Sequence, residues 1–124
     1  MEINKTVCVV GMGYIGLPTA ALLANRGYKV HGVDVSKHAV DTINEGKIHI
    51  VEPELDTFVS SAVNSGMLSA HLEPAEADIF LVAVPTPFHH DQLNEVTNSP
   101  VPNLDYVKSA TKAIAPYVKP GNLV

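Results

Sequence analysis

A single cysteine, Cys8, stands in the 124 residues, and one thiol excludes both an internal disulfide framework and a cysteine-built metal cluster. Long apolar runs are also missing: none approaches the roughly 18 residues that a membrane-spanning helix needs. The N-terminus, Met1-Glu2-Ile3-Asn4-Lys5, has no basic segment leading into an apolar one, so nothing reads as a secretory leader. Cations are scarce. Eight Lys and Arg against thirteen Asp and Glu give a formal net charge of −5, which argues against nucleic acid or an anionic membrane surface as the main partner. These absences leave a cytoplasmic globular chain as the expectation. Its composition, 46% hydrophobic and 17% charged, agrees with that class, and its length suits one domain over residues 1–124.

What is present is concentrated in Val7 to Gly16, Val-Cys-Val-Val-Gly-Met-Gly-Tyr-Ile-Gly, which reads as a buried strand running into a phosphate-binding turn. Its glycines have separable jobs: Gly11 for the tight turn, Gly13 for close approach of backbone to a pyrophosphate, Gly16 for close helix packing. An anion would rest on the free N–H groups of the helix N-terminus, where the dipole favours negative charge. Glycine turns also arise for steric reasons alone, so the flanks decide. Leu17, Ala20, Ala21 and Ala24 recur at helical spacing, Pro18 falls in the first turn and Gly27 is placed as a cap. A second apolar run, Tyr28 to Val33, ends in Asp34. That acid follows Gly16 by 18 residues, near the roughly 20 expected of a carboxylate on the adenosine ribose. With Val35 and Ser36 beside it and no arginine nearby, NAD is expected rather than NADP.

The rest of the chain continues the alternation. Ser36 to Asn44 reads as a helix with Ala39, Val40 and Ile43 on one face, ending at Gly46. Ile48 to Val51 leads to Glu52-Pro53, from which a helix is predicted with Pro53 in its first turn and a stripe of Leu55, Phe58, Val59, Ala62 and Val63, closing at Gly66. Met67 to Leu72 reads as a short strand. Ile79 to Val84 is a continuous apolar run expected of a strand covered on both faces. Pro85-Thr86-Pro87 follows, then a polar stretch to Pro102 expected to be a long surface loop. Asn103 or Asp105 would cap a last helix running to about Val118, with Val107, Ala110, Ile114 and Val118 buried, and Asn122 to Val124 reads as the opening of another strand. The architecture implied is α/β, a Rossmann-type doubly wound parallel sheet cut short at its C-terminal end. Ligands of such sheets bind outside the carboxyl ends of the strands, so Pro85 to Pro87 should face the same crevice as the glycine turn.

Other residues invite competing readings. His89, His90 and Asp91 are adjacent but lack the helical spacing of a ligand pair, and no metal is expected there. His31 reads as a packed or hydrogen-bonded strand residue, and His38, His49 and His71 as solvated or at the rim. Glu52 serves equally as a contact to substrate or cofactor and as a helix N-terminal acid. Cys8 is expected to be a buried small hydrophobe. Three functions fit the motifs so far: a cofactor-binding part of a dehydrogenase, a non-catalytic dinucleotide sensor, and a methyl-donor-binding domain.

The segments Val9 to Ala20, Gly32 to Asp34, Ala39 to Gly46, Ile48 to Pro53 and Val82 to Pro87 together resemble the NAD-binding domain of the UDP-glucose/GDP-mannose dehydrogenase family over nearly the whole chain. Gly-Tyr-Ile-Gly-Leu-Pro paired with Val-Pro-Thr-Pro carries the resemblance, and the Ile48 to Leu55 stretch points to one branch within it, because the glucose branch more often has glycine where Glu54 stands. The resemblance implies oxidation of a nucleotide-sugar C6 hydroxyl to a carboxylate with two equivalents of NAD. It implies a UDP-sugar substrate, a homo-oligomer when full length, and a catalytic thiol and lysine supplied by segments outside this chain, which on that reading is an N-terminal fragment inactive alone. It places the backbone of Tyr14 and Ile15 on the pyrophosphate and adjoining ribose, Asp34 on the adenosine ribose, and Thr86 near the nicotinamide.

Overall fold

Alternation along the first strand sets the architecture. A computed structural model describes residues 4–93 and 96–124, and at 89–92 the backbone alone. Strand β1 (Thr6–Val10) sends Val7 and Val9 to one face and Cys8 and Val10 to the other, as period-two geometry requires. All four are buried, so β1 needs cover on both faces. The chain provides it with α1 (Gly16–Asn25), β2 (Lys29–Val33), α2 (Lys37–Asn44), α3 (Leu55–Asn64), β3 (Leu68–His71), β4 (Ile79–Val82) and, after an excursion, α4 (Asp105–Ile114).

The four strands pair in parallel in the order β3-β2-β1-β4, the expected doubly wound arrangement. Helices α1, α2 and α3 bury Leu17, Ala20, Val40, Ile43, Leu55 and Val59 against Val7, Val9 and Val30. On the opposite face α4 sets Ala110 and Ile114 against Cys8, Val10, Val33 and Phe80. Burial pushes the Cys8 thiol up from its ordinary pKa, which leaves it a core side chain rather than a nucleophile. The expected strand opening near the end is present: Leu123 bridges Ile79 in parallel, and Phe80 N–H donates to its carbonyl at 2.8 Å. At the same end of β4, just before its first residue, Asp78 accepts from the backbone N–H and hydroxyl of Thr6 at 2.9 and 3.1 Å. Those two bonds hold its carboxyl below the usual carboxylate range.

Four expectations need correction. Residues 88–102 are not a simple loop: Phe88–Leu93 (β5) and Pro100–Pro102 (β6) pair antiparallel, and Asn103 N–H donates to the Pro87 carbonyl at their base. Turn residues at Asn98 and Ser99 masked a hairpin whose strands carry no apolar alternation. The last helix stops at Ile114 rather than Val118 and tightens into a 3-10 turn, Ala115–Tyr117, because Pro116 has no N–H for the next α-helical bond. Helix α3 begins at Leu55, so Pro53 precedes it instead of forming its first turn. Between them Glu54 adopts φ 64, a left-handed conformation costing a side-chain-bearing residue roughly 1 kcal/mol or more, which gives glycine at this position a physical reason. Phe58, assigned to the buried stripe, is 51% exposed.

His71 is not a solvated rim residue. By register it lies on the α4 face of the sheet, where its ring stacks on that of His31 with centroids 3.8 Å apart and planes 2° from parallel. Ser69 Oγ lies 2.8 Å from His71 Nε2, and His31 Nε2 lies 2.8 Å from the Glu73 carbonyl. Partial burial first, and the neighbouring His31 second, lower the His71 pKa. The unfolded chain, with an ordinary imidazole near about 6.5, therefore takes up this proton more readily than the fold does. Stability from the lowered His71 pKa is complete above that pH and falls as the pH drops through it. Urea midpoints measured between pH 7.5 and 5.5 are expected to fall, and His71→Gln to flatten the decline.

Candidate dinucleotide site

The turn leaving β1 is locked by backbone contacts that only glycine permits. Gly11 has φ +98, and a Cβ there would stand 2.5 Å from the Ala83 carbonyl oxygen. A Cβ on Gly16 would run into the carbonyl group of Gly11, so α1 can begin where it does only without a side chain. Gly13 differs: a Cβ there would meet nothing within 4 Å. Open space of this kind is what a residue reserved for close approach requires. Gly11 N–H donates to the Val33 carbonyl at 2.7 Å and Ala83 N–H to the Val10 carbonyl at 2.8 Å. The carboxyl ends of β2, β1 and β4 are thereby brought level at one edge.

Above that edge the N–H groups of Gly13, Tyr14 and Ile15 donate to no protein acceptor among the described residues. They precede α1, whose end carries the positive pole of a helix dipole of about half a charge. Free donors at the positive end of a helix are the arrangement that suits an anion. Tyr14 and Ile15 are exposed, at 61% and 72%, so their backbone is reachable from solvent.

Asp34 follows β2 and faces the same turn. Its Oδ2 accepts from Met12 N–H at 3.1 Å and its Oδ1 from Ser36 N–H at 2.9 Å, while Ser36 in turn caps α2 by accepting from Ala39 N–H at 3.2 Å. Each oxygen keeps further lone pairs for a ligand. The carboxylate is thus held in place by the protein's own backbone.

Not every expected residue joins this group. Thr86 is exposed beyond β4, on the connection leaving Ala83, and no hydrogen bond ties its side chain to the turn. Glu52 lies with Tyr14, Leu22, Pro53 and Phe58 around a cleft of about 370 Å³ between α1 and α3. It is not a helix N-terminal acid, since α3 starts three residues later and carries Asp56 in its first turn. No group of three or more His, Cys, Asp or Glu among the described residues is placed to hold a metal; the side chains of His89, His90 and Asp91 lie outside them. Two contributors went unassigned in the sequence reading, Met12 and Gly32. An isolated glycine inside a strand was their signal, since it marks a close approach of another group.

The NAD binding domain of the UDP-glucose/GDP-mannose dehydrogenase family fits residues 5–124. The chain belongs to this family. Its cofactor is therefore NAD, and the methyl-donor reading falls. The family relatives include UDP-N-acetyl-D-mannosamine dehydrogenase of Campylobacter jejuni, 56% identical over 99% of this chain and 28% of the relative. NDP-N-acetyl-D-galactosaminuronic acid dehydrogenase of Ralstonia solanacearum is 54% identical over 97% of this chain and 26% of its own length. Among solved structures, the native UDP-N-acetyl-mannosamine dehydrogenase of Staphylococcus aureus superposes with a TM-score of 0.85 at 37% identity, covering 96% of this chain and 28% of that one. The chain spans about a quarter of the length of these relatives. Among the described residues no helix is long and apolar enough to cross a membrane.

Proposed function

We propose that this chain is the cofactor-holding part of a cytoplasmic nucleotide-sugar 6-dehydrogenase acting on UDP-N-acetyl-D-mannosamine, supplying a precursor for surface polysaccharide. The reading is supported foremost by the sustained identity to dehydrogenases of that name, and the galactosaminuronate relatives at 54% make a different N-acetylhexosamine the nearest alternative. UDP-glucose and GDP-mannose are more distant ones. Gly13, Tyr14 and Ile15 would receive the pyrophosphate on their N–H groups, Gly11 and Gly16 shape the turn, Asp34 takes the adenosine ribose, and Thr86 stands toward the nicotinamide. Bound there, NAD supplies the hydride acceptor for oxidation of the sugar alcohol. This chain contributes binding and orientation. The thiol that such a two-step oxidation uses is not Cys8, which is enclosed in β1, so the chain alone should not turn over. The full-length enzyme is proposed to be a homo-oligomer.

The decisive experiment is a calorimetric titration of the chain with NAD and with NADP, repeated on Asp34→Ala and Asp34→Asn. NAD is expected to bind more tightly than NADP, and Asp34→Ala to weaken NAD about tenfold or more, the scale of a lost hydrogen bond to a charged group. Asp34→Ala also deprives the N–H groups of Met12 and Ser36 of their acceptor. Asparagine retains an oxygen for one of them, so a narrowed NAD preference in Asp34→Asn isolates the role of the charge. Equal affinity for both nucleotides in the unaltered chain would refute the assignment of Asp34.

A further inference from the structure

Met12 stands between two glycines, at a position where the phosphate-turn motif demands no particular side chain, yet it is completely buried. Its thioether fills the space above Gly32: a methyl group there would lie 2.6 Å from Met12 Cε and 2.9 Å from Sδ. Its N–H donates to Asp34 Oδ2 at 3.1 Å. One residue therefore joins the turn to the end of β2 twice, by its side chain at Gly32 and by its backbone at Asp34.

Neither neighbouring glycine has a side chain with which to hold this part of the turn, and Met12 carries the one side chain between Gly11 and Gly13 that can anchor it. The long, unbranched thioether suits an irregular gap of this kind. Ser36 N–H holds the other carboxylate oxygen of Asp34, but from the α2 side, so it cannot relate the acid to the phosphate turn. The Gly11–Val33 bond fixes the backbone at this end of β2, but the carboxylate itself is tied to the turn through Met12. We propose that Met12, seated on Gly32, is a positioning residue that sets the ribose acid relative to the pyrophosphate cradle, and so determines the affinity for the adenosine half of NAD and the discrimination against a 2′-phosphate. The proposal rests on the cofactor-site reading above.

The test titrates NAD and NADP into the unaltered chain, Met12→Ala, Gly32→Ala and the double variant, with circular dichroism confirming the fold of each. Met12→Ala withdraws the anchor, and Gly32→Ala pushes it out from beneath. Each single change is expected to weaken NAD about tenfold, the scale of one displaced hydrogen bond to a carboxylate, and to weaken NADP less, narrowing the preference. The double variant is expected to recover part of both, because the added methyl occupies volume that the thioether vacates. A purely structural role would lower the melting temperature and leave the NAD to NADP ratio alone. An unchanged ratio in folded single variants overturns the proposal; should Met12→Ala not fold, Gly32→Ala decides it. Failure of the unaltered chain to bind either nucleotide would instead overturn the site reading itself, and this proposal with it.

Discussion

Replacing Gly16 by alanine is expected to remove at least about 3 kcal/mol of stability, the upper end of what overpacking costs, because the new methyl group meets backbone that cannot step aside. The obstacle is the carbonyl group of Gly11, whose own residue is fixed by its bond to Val33 and its approach to Ala83. Relief requires moving the start of α1 away from β1, which uncovers Leu17 and Ala20. Gly13→Ala should behave in the opposite way. A Cβ there has open space around it, so stability should change by no more than about 0.5 kcal/mol, while NAD affinity collapses because the methyl occupies the approach to the N–H groups. Urea unfolding and NAD titration of the two variants separate the effects. A Gly13→Ala protein that bound NAD normally would show that the pyrophosphate does not lie over this turn.

Phe80→Ala is expected to cost about 3–5 kcal/mol, the range for emptying a large buried aromatic site, against a total stability of about 5–15 kcal/mol for a typical domain. Phe80 is completely buried, and it is the largest fully buried side chain between the sheet and α4. Cys8, Val10 and Val33 lie in the same cluster, and Ala110 and Ile114 are the residues by which α4 docks. Two short contacts on a ten-residue helix cannot close over so large a void, so α4 should loosen before the rest of the sheet. Tyr106→Ala, on the same helix but 48% exposed, serves as the control and should stay within about 0.5 kcal/mol. Thermal unfolding of both, with hydrogen exchange along α4, distinguishes a local loss from a global one.

Much of this was legible in the residues themselves, and for identifiable reasons. The order of strands and helices followed from apolar runs punctuated by Gly27, Gly46 and Gly66, each of which does take positive φ at a helix end. The glycine turn and Asp34 were legible because their chemistry is set by spacing. The hairpin at Phe88 to Pro102 was not, since its pairing depends on backbone bonds between strands without apolar alternation. The stacking of His31 on His71 is a product of register between β2 and β3, which one strand read alone does not disclose. Met12 escaped for a related reason: its partner Gly32 lies across the sheet, and each looks unremarkable until the two are brought together.

The Thr6–Asp78 clasp joins residues 72 positions apart, and it sits where β1 meets β4. During synthesis β1, α1, β2, α2, α3 and β3 all precede that partner, so the central strand keeps one naked edge while three-fifths of the chain is already made. Closing so long a loop is entropically slow, and an unpaired strand edge is what other chains recruit when they aggregate. Only at Ile79 does the nascent domain acquire the strand that seals it.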